Sequence, residues 1–202
     1  MTPCYSERVD AALALVSGAF RGIRRKGSGV PYLSHLLAVA ALVAEHGGDE
    51  DQIIAALLHD VLEDIREIDA PDIEAQFGPR VTGFVVALSD TTEFPKPPWK
   101  QRKLAYLALL RGKPAELKLI SCADKLHNAT TLLRDYASVG DALWDRFTAS
   151  RDETLWYYRE VLAALRTDYD HPIVGELESI VLRLHAAANA PMPAHDDANP
   201  AG

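Results

Sequence analysis

"AALLHDVLEDI", residues 55–65, opens as an apolar helical run and then sets His59, Asp60, Glu63 and Asp64 among leucine, valine and isoleucine. On a helix of about 3.6 residues per turn, His59 and Glu63 stack four apart, as do Asp60 and Asp64, and the two columns are adjacent. One turn then presents an imidazole and three carboxylates to a single patch. Alone, the stretch also fits a solvated helix end. If the patch faces the core instead, its carboxylates need hydrogen bonds or a cation, and a divalent metal would supply the missing positive charge.

Outward from this stretch the chain reads as helix nearly throughout. "SERVDAALALVSGAFRGIRR", "SHLLAVAALVAEH", "DEDQIIAALLHDVLED", "PDIEAQFG", "VTGFVVAL", "WKQRKLAYLALLRG", "PAELKLISCADKLHNATTLLRDY", "TASRDETLWYYREVLAALR" and "PIVGELESIVLRLHAAANA" each repeat apolar residues at three-to-four spacing, and strand-like alternation is absent. Gly47 and Gly48 follow one helix, Pro71 and Pro114 stand near the starts of others, and Gly112 ends another. The expected fold is all-α, a single-domain orthogonal multi-helix bundle over residues 1–190. Two segments fall outside the pattern. The loop "SDTTEFPKPPWK" (89–100) reads as a connector or as a stiff basic flap over a site, and the small, polar, proline-rich tail 191–202 reads as disordered.

Length and composition narrow the function classes. The 202 residues suit one domain with a sizeable core, and 48% hydrophobic with 25% charged residues is ordinary for a globular protein. A formal charge of −8 argues against coating nucleic acid, which needs an excess of Lys and Arg, so any anionic ligand must meet a local basic patch. With only Cys4 and Cys122 a disulfide framework is not expected, and the cytoplasm is the natural setting. The polar start "MTPCYSERVD" is unlike a signal peptide, and no apolar run reaches about 18 residues, so no membrane span is expected.

Two more segments carry ionisable residues where the period asks for apolar ones. "YLSHLLAVA" puts His35 near the start of one helix, and "LISCADKLHNATTL" puts Asp124 in the middle of another. Singly, each fits a satisfied core histidine or a capping aspartate. With His59 and Asp60 they form a set of two imidazoles and two carboxylates drawn from three helices. Such nitrogen and oxygen donors suit manganese or iron, with zinc next and copper(I) disfavoured without sulfur. No cysteine cluster supports a zinc finger.

His35, "HD" 24 residues on, and the aspartate of "ADKLHN" form the H…HD…D pattern of the HD-domain metal-dependent phosphohydrolases. Within them the sequence resembles the hydrolase domain of RelA/SpoT-type alarmone enzymes and the stand-alone small alarmone hydrolases, through "RRKGSGVPYLSH", "AALLHDVLED", "FGPRV", "KLISCADKLHN" and "RF…LWYYRE". The resemblance implies metal ligands His35, His59, Asp60 and Asp124, usually holding manganese (Mn2+), and a hydrolytic role for Glu63 and Asp64. It implies removal of the 3′-diphosphate of ppGpp or pppGpp as pyrophosphate. His127 lies in the motif but outside its usual ligands. Leu36, Val61 and Ile65 depart from residues common in the family and leave the pocket's contour open.

The chemistry suits the spacing. A metal lowers the pKa of bound water and polarises a phosphoryl oxygen. Glu63 and Asp64, one turn from His59 and Asp60, are placed to orient water and carry a proton toward the departing 3′ oxygen. Cations for the substrate are expected at Arg24 and Lys26 of "RGIRRK" and at Lys96, with Asn128 contacting nucleotide and Arg146 phosphate. Any one of these bases also fits a solvated helix end. The aromatic run Trp156, Tyr157, Tyr158 is expected to pack in the core. A chain ending after the hydrolase region leads to an expectation of hydrolysis without synthesis. The rival expectations are another HD nucleotide phosphohydrolase, such as an NADPH 2′-phosphatase, and a binding-only alarmone sensor; no "GYP" supports a cyclic-dinucleotide esterase. Oligomeric state, including a homo-oligomer, is left open.

Overall fold

The computed structural model describes residues 5–26, 28–91 and 95–188, and within them the secondary structure is helical apart from one isolated antiparallel bridge between Arg24 and Pro31. The tail 191–202, and residues 92–94 of the proline loop, lie outside the described residues. The order is α1 (Glu7–Ala19), α2 (Leu33–Glu45), α3 (Glu50–Leu58), the short α4 (Val61–Asp64), α5 (Ala70–Phe77), α6 (Pro79–Leu88), α7 (Trp99–Arg111), α8 (Ala115–Val139), a 3-10 segment (Gly140–Arg146), α9 (Arg151–Arg166) and α10 (Pro172–Ala187). Among the described residues no helix is long and apolar enough to cross a membrane.

Capping residues set the starts. Asp49, Asp69 and Ser150 each accept from the backbone three residues on while Gln52, Asp72 and Glu153 reach back, so free N–H groups are satisfied in pairs. Gly78, at φ +84, turns α5 directly into α6, a conformation that side-chain-bearing residues rarely adopt. Gly48 lets the chain pass so close to Val43 that an added Cβ would collide with its side chain.

The hub is α3, in which every residue from Gln52 to Leu58 is buried. A helix apolar on all sides must be enclosed, and α3 packs against α1, α2, α6 and α8. Each fully buried leucine or isoleucine there, Ile54, Leu57 and Leu58 among them, contributes about 1.5–3 kcal/mol relative to exposure. The long α8 lies against α2, α3 and α10. Because α2, α3 and α8 touch one another in pairs, His35, the end of α3 and Asp124 are carried to one place.

Two helices are shorter than their apolar period suggests. The sequence extends the first helix to Arg25, but α1 stops at Ala19, and residues 23–26 instead run back against 28–32, with Arg25 N donating to Val30 O and Tyr32 N to Ile23 O. The expected continuous helix over 49–64 breaks after Leu58. There His59 Nδ1 lies 2.7 Å from Ala56 O, the carbonyl that Asp60 N would use in an unbroken helix. This side-chain bond competes with the helical ladder. The helix then resumes with Asp64 N donating to Asp60 O at 3.1 Å.

Candidate active site

The break at His59 aims the two halves of "HDVLED" at one cavity of about 170 Å³, lined by Tyr32, His35, His59, Asp60, Glu63, Leu88, Asp90, Lys103, Tyr106, Asp124, Lys125 and Asn128. His35, His59 and Asp124 each offer a ligand atom, and these atoms lie within 4.8 Å of one another. His35 Nε2 is 3.2 Å from Asp124 Oδ1 and 3.6 Å from Asp60 Oδ2, and His59 Nε2 is 3.1 Å from Asp60 Oδ2 and 3.8 Å from Asp124 Oδ1.

These donors fit a divalent cation. Ligands about 2.1 Å from one ion stand roughly 3.0–3.5 Å apart when adjacent in octahedral or tetrahedral shells, and the four imidazole–carboxylate distances run from 3.1 to 3.8 Å. The tautomer of His59 agrees, since a carbonyl can only accept and Ala56 O therefore fixes the proton on Nδ1. In the neutral ring Nε2 is then the lone pair, and this buried atom makes no hydrogen bond despite its approach to Asp60. The charge balance also favours a cation. Burial alone would lower the His59 pKa, yet the carboxylates of Asp60 and Asp124 outweigh it and push it up to about 9. Burial works against ionising Asp60 and Asp124 too, but the imidazoles, and for Asp124 also Lys125, hold both well below the usual carboxylate range.

A second set of contacts orients the donors. Tyr32 OH donates to Asp60 Oδ2 at 2.6 Å, Asn128 Nδ2 donates to Asp124 Oδ1, and Lys125 Nζ lies 2.5 Å from Asp124 Oδ2. Arg25 Nη2 donates to Asn128 Oδ1 at 2.6 Å, and His127 Nδ1 stands 2.8 Å from His35 Nδ1. Burial, then His35 and Arg25, lower the His127 pKa to about 4. One α8 turn therefore carries Asp124, Lys125, His127 and Asn128, each touching the site.

Glu63 and Asp64 stand at the rim. Glu63 Oε1 accepts from Asp90 N at 2.6 Å, and Lys96 Nζ is 3.6 Å from Glu63 Oε2 and 3.3 Å from Asp64 Oδ1. Burial, then the Asp60 charge, raise the pKa of both carboxyls. Lys26 adds positive charge near Asp64.

The structure thus brings His35, His59, Asp60, Glu63, Asp124 and Asn128 to the cavity, with Asp64, Lys96 and Lys26 beside it. Arg24 is exposed and donates to Gly29 O, and exposed Arg146 is on the 3-10 segment and is not among the residues lining the cavity. Sequence reasoning missed Tyr32, Asp90, Tyr106 and Lys125 and passed over Lys103 and Arg25 as cations for the substrate. The sequence carried no signal for Arg25, because its apolar period runs the first helix through this residue while α1 ends at Ala19. Tyr157 and Tyr158 are buried as expected, and Lys125 and Lys103 stand 6.0 and 5.2 Å from the Tyr157 ring centre.

The chain resembles proteins already known. A solved metazoan orthologue of SpoT, described as hydrolysing ppGpp, superposes with a TM-score of 0.75 at 28% identity, covering 93% of this chain and 99% of that one. A Synechocystis protein named "Probable guanosine-3′,5′-bis(diphosphate) 3′-pyrophosphohydrolase" is 35% identical over 112 residues, which are 54% of this chain and 15% of that protein. The GTP pyrophosphokinase of Streptomyces coelicolor is 33% identical over 127 residues, 62% of this chain and again 15% of the relative. The chain therefore spans only a small part of the curated relatives it matches. Residues 12–155 match the HD domain family, from α1 through both histidines and Asp124 into α9, and the chain belongs to that family.

Proposed function

We propose that this protein hydrolyses the 3′-diphosphate of guanosine tetra- or pentaphosphate, releasing pyrophosphate and leaving GDP or GTP. The observation that carries the reading is the group of buried His35, His59 and Asp124 with half-buried Asp60, with Glu63 and Asp64 one turn beyond it. The SpoT orthologue, which matches nearly end to end and is described as hydrolysing ppGpp, supports the substrate class.

In this reading His35, His59, Asp60 and Asp124 hold a divalent ion, taken to be manganese from the mixed nitrogen and oxygen donors. The ion supplies polarisation of a phosphoryl oxygen and a more acidic water. Glu63, fixed by Asp90 N, accepts the proton of the attacking water as its oxygen bonds to the phosphorus nearest the ribose. The bond from that phosphorus to the 3′ oxygen breaks. Asp64, whose pKa is raised, returns a proton to the departing 3′ oxygen. Lys96 and Lys26 at the rim, with Arg25 behind Asn128, bind the phosphates and nucleotide, and Arg146 and Arg24 act further out. The hydrolase unit is taken as residues 1–190 with 191–202 as a tail. A cytoplasmic setting suits Cys122, a free buried thiol.

The test is a substrate panel of ppGpp, pppGpp, NADPH, deoxynucleotides and cyclic dinucleotides with the purified protein and Mn2+, reading pyrophosphate and phosphate separately. Pyrophosphate from ppGpp and pppGpp is expected. Dominant orthophosphate release from NADPH with ppGpp untouched would overturn the assignment, and binding without turnover of any substrate would make the protein a sensor.

A further inference from the structure

A histidine that binds a metal through one ring nitrogen is normally steered by a hydrogen bond at the other, which fixes the tautomer and the ring plane. His59 meets this rule through Ala56 O, 2.7 Å from its Nδ1. For His35 the atom facing Nδ1 is another imidazole nitrogen, Nδ1 of His127, at 2.8 Å.

Two nitrogens at that distance share one proton, so one ring donates and the other accepts. A neutral imidazole has a single N–H. If Nε2 of His35, which faces Asp124 Oδ1 at 3.2 Å, is to offer its lone pair to a cation, the proton must sit on Nδ1. His127 Nδ1 must then be the acceptor, and the His127 proton is confined to its Nε2.

We propose that His127 is a positioning residue that fixes the ring and tautomer of His35 by accepting its Nδ1–H, and so aims the Nε2 lone pair at the cation. The inference rests on His35 being a ligand, as in the function proposed above. Packing makes the arrangement stiff. His35 is 1% exposed, with Tyr32 and His59 edge-on at ring-centre distances of 5.6 and 5.2 Å and His127 tilted by 33° at 4.9 Å. His127 comes from the same α8 turn as Asp124, three residues on, so one turn supplies a carboxylate ligand and the group that orients the neighbouring imidazole. The site's two histidines are thereby oriented by different means, His59 by its own helix and His35 by a side chain from α8.

The experiment compares His127→Asn with His127→Leu. Asn Oδ1 stands one bond from Cγ, as His Nδ1 does, and can accept the same proton; Leu has a similar branched shape and no acceptor. Affinity for Mn2+ alone is read from the free-ion EPR signal, and in the Zn2+-loaded parent a long-range 1H–15N spectrum reads which nitrogens of His35 and His127 carry protons. The expected result is Mn2+ binding weakened roughly 10- to 100-fold in His127→Leu and largely restored in His127→Asn. The spectrum should show His35 protonated at Nδ1 and His127 at Nε2. Parental affinity in the Leu variant, equal losses in both variants, or a proton on His127 Nδ1 would overturn the inference while leaving the metal site intact. A parent that binds neither ion would remove the metal site and this inference together. If His127→Leu does not fold, the Asn variant and the parent spectrum still decide.

Discussion

The backbone N–H of Asp90 donates to Oε1 of Glu63 at 2.6 Å, so the acid at the end of "HDVLED" is fixed by the segment that follows α6. Asp90 is itself gripped, its carboxylate meeting Arg102 and, at 2.8 Å, Lys103 of α7. Glu63 is thus held through α7 as well as through its own short helix. The N–H favours the ionised form of Glu63, but burial and the charge of Asp60 outweigh it and raise the pKa, as suits a base working near neutrality.

Glu63→Gln keeps the acceptor for Asp90 N and leaves the metal ligands untouched while removing the proton acceptor. Metal content measured by mass spectrometry should match the parent. The kcat on ppGpp should fall by roughly 10²- to 10⁴-fold with KM little changed. Loss of metal would make Glu63 a ligand instead, and full activity would leave it without a catalytic part.

Removing a carboxylate from the donor group should act on the ion first. Asp60→Ala and Asp124→Ala should bind Mn2+ weakly and hydrolyse almost nothing. Asp124→Ala should also lower the melting temperature, because Lys125, 2.5 Å from the lost carboxylate, stays buried without its partner. A variant that binds Mn2+ and turns over like the parent is incompatible with the assigned ligands.

Lys96 touches both rim carboxylates and holds their pKa values down against burial. Without it those values rise further, so the carboxylate form is lost at a higher pH as the solution is acidified. The acid limb of kcat/KM should therefore move to higher pH in Lys96→Ala, with KM raised as well. A limb that stays in place would detach Lys96 from the chemistry.

The pairing of residues 23–26 with 28–32 separates Arg25 from its neighbours. Arg25→Ala should raise KM more than Arg24→Ala does, because Arg25 supports Asn128 in the cavity while Arg24 bonds to Gly29 O in its own turn. Steady-state kinetics on both variants decide this, and a larger effect at Arg24 would reverse the assignment.

Lys113 offers a stability test outside the donor group. Its Nζ is buried without a hydrogen-bond partner, and burial, then Lys125, lower its pKa to about 8. In the unfolded chain lysine keeps its ordinary higher value, so between about pH 8 and 10.4 the unfolded state binds more protons and folding gains from Lys113 as pH rises. Below that window the cost of burying the charge is full. Lys113→Met should then be more stable than the parent at pH 7, by a margin that shrinks toward pH 10 in urea unfolding. A margin independent of pH would show that the group stays charged in the fold.

The all-α architecture was legible in the chain, and so were the residues of the donor group. Apolar spacing is a local property, and His35, Asp60 and Asp124 stand out wherever an ionisable group interrupts a buried period. Asn128 was legible for the same reason, lying four residues beyond Asp124 on one helix face. What stayed hidden depends on contacts across the fold. Tyr32 meets Asp60 across 28 residues of sequence, His127 meets His35 across 92 and Arg25 meets Asn128 across 103. The break at His59 was equally invisible, since a helical period cannot tell whether a side chain will take the carbonyl that the ladder needs. Helix crossing positions settle which polar groups come within hydrogen-bonding reach. Those positions follow from the packing of α2, α3 and α8 together and from no single segment of the chain.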